Sequence, residues 1–434
     1  MGKFVLAGLT AFAVLALTAA HASTVATVYS FCKKAGCPDG SGPNGLVTAP
    51  DGTIYGTASG GGKNAAGTAF ALVLKHGKWK EKVLYDFCAQ TSCGDGSQPH
   101  SKLILDKKGN LYGTTLAGGV GNLGTVFELT KSPGKKAWTV TTLASFCTDA
   151  SDCGPSQQPL YGLAYAGESG GKPYDGKSPL YGVAVGGNQF AACKPRCGTV
   201  YQITLSGGVG TLATIYQFCA PSLSCPDGWS PVGEPIVDSS GTHLFGAVAG
   251  GMEGSGGVFE LALSGSAWNE SVYYASCQLD DCDDGASPSS ALVTDASGNL
   301  YGATGLGGAN NGGVAFKLTP GTTVQETTLY IFCAQADCAD GREPNNLLID
   351  GSGNVFGSTF WGGGNDIDEF HAGGGTVFEI GGSPPTLYSF CAKTSCADGE
   401  YPAGQMALGP SGTIIGATET GGAHSEGVIY QITP

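Results

Sequence analysis

The sequence predicts an all-β fold, a seven-bladed β-propeller with four-stranded blades. Three observations carry that prediction. First, a cysteine followed by another five or six residues later recurs seven times, the first of each pair being Cys32, Cys88, Cys147, Cys219, Cys277, Cys333 and Cys391. A spacing that repeats across the chain marks a repeat architecture. Second, each interval holds four short β-rich runs separated by turn signals, and propellers are built from about 4–8 such units. Third, the ends are complementary: past residue 22 the chain opens on a run like the fourth of a unit and closes on one like the third. One blade is then completed by both termini. A parallel β-helix, the main rival, gives no reason for that offset.

The copy from Val83 to Thr130 shows the runs most clearly. Strand A is read at Leu103–Asp106, B at Asn110–Thr115, C at Thr125–Thr130 and D at Trp138–Phe146. KKGN between A and B is a hairpin signal. A Gly-rich stretch joins B to C, and SPGKK joins C to D. The closing blade takes Thr24–Phe31 as its D strand beside Gly427–Thr433 as its C strand. Composition agrees: 74 of 434 residues are Gly and only 13% are charged, while 41% are hydrophobic. A core is available, so the glycine belongs in turns and not in a disordered or helical chain.

Residues 1–22 read as a signal peptide: Lys3, an apolar run from Phe4 to Leu17, and Ala20-His21-Ala22 as the cleavage site. Residues 23–434 are then one propeller domain, secreted or periplasmic. The run is too short to span a membrane, and no membrane insertion is expected. The net charge of −14 argues against nucleic acid as a partner. A monomer is expected.

All 16 cysteines fall in the mature part, which points to disulfides. Local pairing gives Cys32–Cys37, Cys88–Cys93, Cys147–Cys153, Cys193–Cys197, Cys219–Cys225, Cys277–Cys282, Cys333–Cys338 and Cys391–Cys396. Isolated pairs are poor zinc sites, which need four ligands.

The repeat resembles the GloVer-type tandem repeat family of secreted bacterial proteins. The motifs that carry it are Asp95-Gly96 with Pro99, Gly109–Thr115, Gly118-Gly119 and Gly124–Leu129. The resemblance implies a secreted repeat protein and supplies no catalytic residue.

In a propeller the D-to-A and B-to-C connections share one face, so the seven main Cys loops and the Gly-Gly stretches lie together. Six of these loops carry an Asp-Gly: Asp39, Asp95, Asp227, Asp284, Asp340 and Asp398. A ring of carboxylates for a cation is one reading, and a turn with each Asp bonding nearby backbone is the stronger one.

Departures from the repeat mark the candidate site. The sixth copy has the longest B-to-C segment, containing Asp366, Asp368, Glu369 and His371, with Trp361 before it. Alternating oxygen donors there make calcium the one candidate ion; no other cofactor is expected. His424 lies in the seventh B-to-C loop, Arg342 in the loop entering the sixth copy, and Trp229 in the fourth Cys loop. Together these eight residues form the expected ligand-binding set. The third copy carries two expansions, one lengthening its A-to-B hairpin over Tyr165–Pro179.

No nucleotide loop, HExxH or G-x-S-x-G is present. The reading therefore leans to a binding protein that recognises a glycan or an extracellular protein on the Cys-loop face. An extracellular carbohydrate-active hydrolase or lyase is the alternative, using Glu369, His371, Glu419 and His424. A structural envelope or matrix protein is the third.

Overall fold

A computed structural model describes residues 23–131, 134, 137–147, 157–186, 197–219, 224–365, 373–382 and 385–434. The fold is the predicted one: seven antiparallel sheets, each with four strands or with a broken inner strand, arranged in a ring. Blade 1 is Ser41–Thr48, Ile54–Gly60, Thr68–Lys75 and Lys78–Asp86, strands A to D from the inside out. Blade 7 combines Glu400–Leu408, Ile414–Thr420 and Val428–Thr433 with the N-terminal Thr24–Ser30 as its outer strand. Thr24 pairs with Thr433 and Ser30 with Val428, so the expected closure is present. The expected signal peptide lies outside the described residues. Among those residues no helix is long and apolar enough to cross a membrane.

Neighbouring blades meet through a seam of aromatic rings. The Phe before each main cysteine leaves its own strand D and packs edge-on against the aromatic of strand C in the next blade. The pairs are Phe31–Phe70, Phe87–Phe127, Phe146–Tyr201, Phe218–Phe259, Phe332–Phe378 and Phe390–Tyr430, with centroids 4.8–5.1 Å apart. Each such pair contributes about 0.5–1.5 kcal/mol beyond its burial. Between blades 4 and 5 Ser276 stands where the other copies have Phe, and there Tyr274 meets Phe316 instead, tilted and 6.4 Å apart.

The seam explains the glycine of the Tyr-Gly pair in strand B. At Gly113 an added Cβ would sit 2.8 Å from Phe127 and 2.9 Å from Leu103. The glycine before Thr-Val-Phe has a different cause. A Cβ at Gly67 would lie 2.5 Å from the Cδ of Pro99 in the following blade.

One expectation is corrected. Strand A of blade 2 does not start at Leu103. It starts at Ser97–Pro99, breaks, and resumes at Ile104–Leu105. In blades 1, 6 and 7 the same region is one strand, such as Arg342–Ile349. Pro99 is tolerated in the strand because strand A is an inner edge, paired with B on one side only.

Candidate functional site

The Cys loops are rigid turns. Six of the expected disulfides are present, with Cα atoms 4.0–4.3 Å apart. Cys147 and Cys197 are also disulfide-bonded; their expected partners, Cys153 and Cys193, lie outside the described residues. Disulfides on this scale belong to a protein folded in an oxidising compartment.

The Asp of each Asp-Gly faces inward. Asp95 is fully buried and accepts hydrogen bonds from the Tyr85 hydroxyl (2.8 Å) and from the N–H groups of Ala89 and Gln90 (3.0 Å each). The same Tyr–Asp bond recurs as Tyr29–Asp39, Tyr216–Asp227, Tyr274–Asp284, Tyr330–Asp340 and Tyr388–Asp398, at 2.6–2.9 Å. The six carboxylates thus hold loops to strands and form no cation ring. In the third copy both partners are missing together: Ala144 replaces the Tyr and Pro155 the Asp.

After each of the seven main Cys loops the chain enters strand A through a residue with positive φ, directly before a proline. These are Gly42, Gln98, Gln158, Ser230, Ser287, Glu343 and Tyr401, with φ of 54–60°. For a non-glycine residue this costs about 1–3 kcal/mol. The compensation is visible. Each turns its N–H onto a carbonyl of the preceding blade, for example Gln98 to Ala66 at 2.8 Å and Tyr401 to Gly374 at 2.9 Å. The side chains at this position stand around the channel mouth on the Cys-loop face.

There the structure gathers an aromatic cluster that sequence reasoning found only in part. Phe360 and Trp361 end strand B of blade 6, and Tyr401 begins strand A of blade 7. The Phe360 and Tyr401 rings are stacked, 5.1 Å apart and 10° from parallel. Trp361 stands edge-on to Tyr401 at 4.8 Å and to Phe360 at 5.1 Å. All three are half-buried. Arg342 is paired across the sheet with Trp361.

Arg342 and Trp229 are thereby corrected from loop positions to the first residues of their strands. Trp229 is 37% exposed, packed on Gly250 two blades away, and does not join the cluster. His424 is exposed in the B-to-C connection of blade 7, and Glu419 belongs to strand Ile414–Thr420. Asp366, Asp368, Glu369 and His371 lie outside the described residues. Asn365, the last described residue before them, donates from its amide to the carbonyls of Ser389 (3.1 Å) and Phe390 (2.8 Å) at the end of the outer strand of the same blade.

Among the described residues, acidic or sulfur groups close enough to share a metal are Cys32–Cys37–Glu426 and Cys391–Cys396–Glu400. In both sets the sulfurs are already joined to each other, which removes them as thiolate ligands.

Residues 13–172 and 162–370 match the model of the Gloeobacter/Verrucomicrobia repeat. No curated protein matches the chain. Solved structures that resemble it include a putative 6-phosphogluconolactonase from Bacteroides uniformis (13% identity, 75% of this chain and 78% of that one, TM-score 0.42). Another is a hypothetical selenium-binding protein from Sulfolobus tokodaii (13%, 74% and 73%, 0.47). A third is a puromycin-hydrolyzing peptidase from Mycobacterium tuberculosis (11%, 88% of this chain but 50% of that one, 0.47). Likenesses of this size carry no activity over to the chain.

Proposed function

The chain belongs to the Gloeobacter/Verrucomicrobia repeat family, and from that premise we propose that it is a secreted propeller that binds a glycan on its Cys-loop face. The observation that supports this reading is the Phe360–Trp361–Tyr401 cluster. Half-buried rings at a rigid rim offer the apolar face of a sugar a stacking surface at little entropic cost. Arg342, the cross-strand partner of Trp361, supplies hydrogen-bond donors.

The hydrolase reading has less support. Glu419 and His424, its two described residues, are exposed, whereas such chemistry calls for buried carboxyl groups; Glu369 and His371 lie outside the described residues.

The test is a glycan array followed by calorimetry on residues 23–434. Trp361→Ala and Tyr401→Ala should each weaken binding about tenfold or more, roughly 1.4 kcal/mol. Repeating the titration in EDTA reports whether calcium on the acidic segment takes part. Silence on the array, together with turnover of a polysaccharide or self-assembly without ligand, would overturn this reading.

A further inference from the structure

Five polar side chains converge away from the rim. Lys102, Tyr161, Glu234 and Gln405 belong to the inner parts of blades 2, 3, 4 and 7, and Glu168 to the lengthened hairpin of blade 3. Four of them sit at or next to the third residue after the recurrent proline, a position that changes from Lys102 to Gly162, Glu234 and Gln405 between copies. Lys102 Nζ lies 3.0 Å from Glu168 Oε1 and 3.9 Å from Glu234 Oε1.

Lys102 and Glu234 are two blades apart. They meet because blade 3 offers Gly162 between them, where an added Cβ would lie 3.5 Å from Lys102 Cβ and 3.6 Å from Glu234 Cδ. The Gln405 side chain approaches Glu234 from the other side of the ring. Contacts between blades 2, 4 and 7 can only cross the central channel, so the cluster sits inside it. The cluster is largely enclosed: the side chains of Lys102, Glu168 and Glu234 are 26%, 25% and 11% exposed, and Glu234 Oε1 is buried.

One cation faces two carboxylates, which leaves a negative charge uncompensated. Lys102 is committed to Glu168 by its hydrogen bond. Glu234 Oε1 has no hydrogen-bond donor, because 3.9 Å is beyond hydrogen-bond reach. Burial is the first cause raising the pKa of Glu234, and Lys102 opposes it. A buried carboxylate oxygen without a donor is costly to the fold, and the cost is recovered when a ligand supplies the donor.

We propose that Glu234 is the anionic pole of a binding site in the channel for a primary ammonium group, flanked by Tyr161 and Gln405. An ammonium brings both the missing donor and the missing charge. Glu168 keeps Lys102 in place as the ligand enters. An amino sugar and an alkyl diamine share this chemistry.

Calorimetry on residues 23–434 with 1,4-diaminobutane, glucosamine, glucose and glucuronate tests the site. Either or both amines should bind at least tenfold more tightly than glucose or glucuronate. Binding of both means that the amine alone suffices, and binding of glucosamine alone means that the sugar ring is also read. Glu234→Gln should abolish the preference. Gly162→Leu keeps every charge but fills the gap, and should weaken amine binding as well. Trp361→Ala should leave diamine binding unchanged, which separates this site from the rim. Equal binding of amines and glucose, or amine binding that survives Glu234→Gln, would overturn the proposal.

Discussion

The hydroxyl of Tyr85 donates to Asp95 at 2.8 Å, across the cysteine loop that leads from blade 1 into blade 2. Tyr85→Phe is expected to cost about 1–2 kcal/mol, and Asp95→Ala about 2–3 kcal/mol, because two backbone donors then lose their acceptor as well. The double variant Tyr85→Phe/Asp95→Ala should cost less than the sum of the singles, since the partners act on each other. The third copy shows that a blade can be built without the pair. Urea unfolding of the four proteins gives the coupling; strict additivity would remove the bond from the account.

The Tyr-Gly pair of strand B makes a steric prediction. Gly113→Ala places a methyl against Phe127 and Leu103 and should destabilise by about 1–3 kcal/mol. Phe127→Leu in the same chain makes room and should recover part of the loss. Thermal midpoints of the two variants decide this, and a Gly113→Ala protein as stable as the parent would contradict the seam.

Two outer-strand acids give a pH signature. Burial, then the nearby Asp39, pushes Glu81 up to about 7; burial, then Asp227, does the same for Glu270. Both carboxyls hold their proton more tightly folded than unfolded. They therefore lower stability as pH rises from about 4.5 through 7, and the loss persists above that window. Glu81→Gln and Glu270→Gln should each raise stability at pH 8 by on the order of 1 kcal/mol after solvent screening. At pH 4 they should change little. Unfolding midpoints at the two pH values check the sign, which a larger gain at pH 4 would reverse.

The disulfides are local, so each should be separable. Peptide mapping without reduction should recover Cys88–Cys93 and its five described equivalents as crosslinks within single loops. Replacing both Cys88 and Cys93 by Ser should cost about 2 kcal/mol, the value for a loop this short. Crosslinks between different copies would refute the arrangement.

Strand order, blade number and disulfide pairing were legible because each is written locally and repeated. Glycines sit at turns, and cysteines are five or six residues apart. The start of strand A was not legible, because Pro99 looks like a strand breaker until one sees that its edge faces the channel and has no partner. Trp361 and Arg342 were found as departures from the repeat. Phe360 and Tyr401 were missed because their stacking joins two blades, and neither copy alone shows it. The channel cluster draws on four blades, so no window of sequence contains it. Its trace was the change from Lys102 to Gly162 to Glu234 at one repeat position.

The shared blade has a consequence for the order of events during synthesis. Among the strands, Thr24–Ser30 leaves the ribosome before the other blade strands and Val428–Thr433 after them. Six blades can gather, and each cysteine loop can oxidise, while translation or export proceeds. The first strand must wait for the last one, with an unpaired edge throughout. Ring closure is therefore the last pairing to form, and a chain stalled or truncated before Val428 is left with that sticky edge exposed even when every other blade is sound.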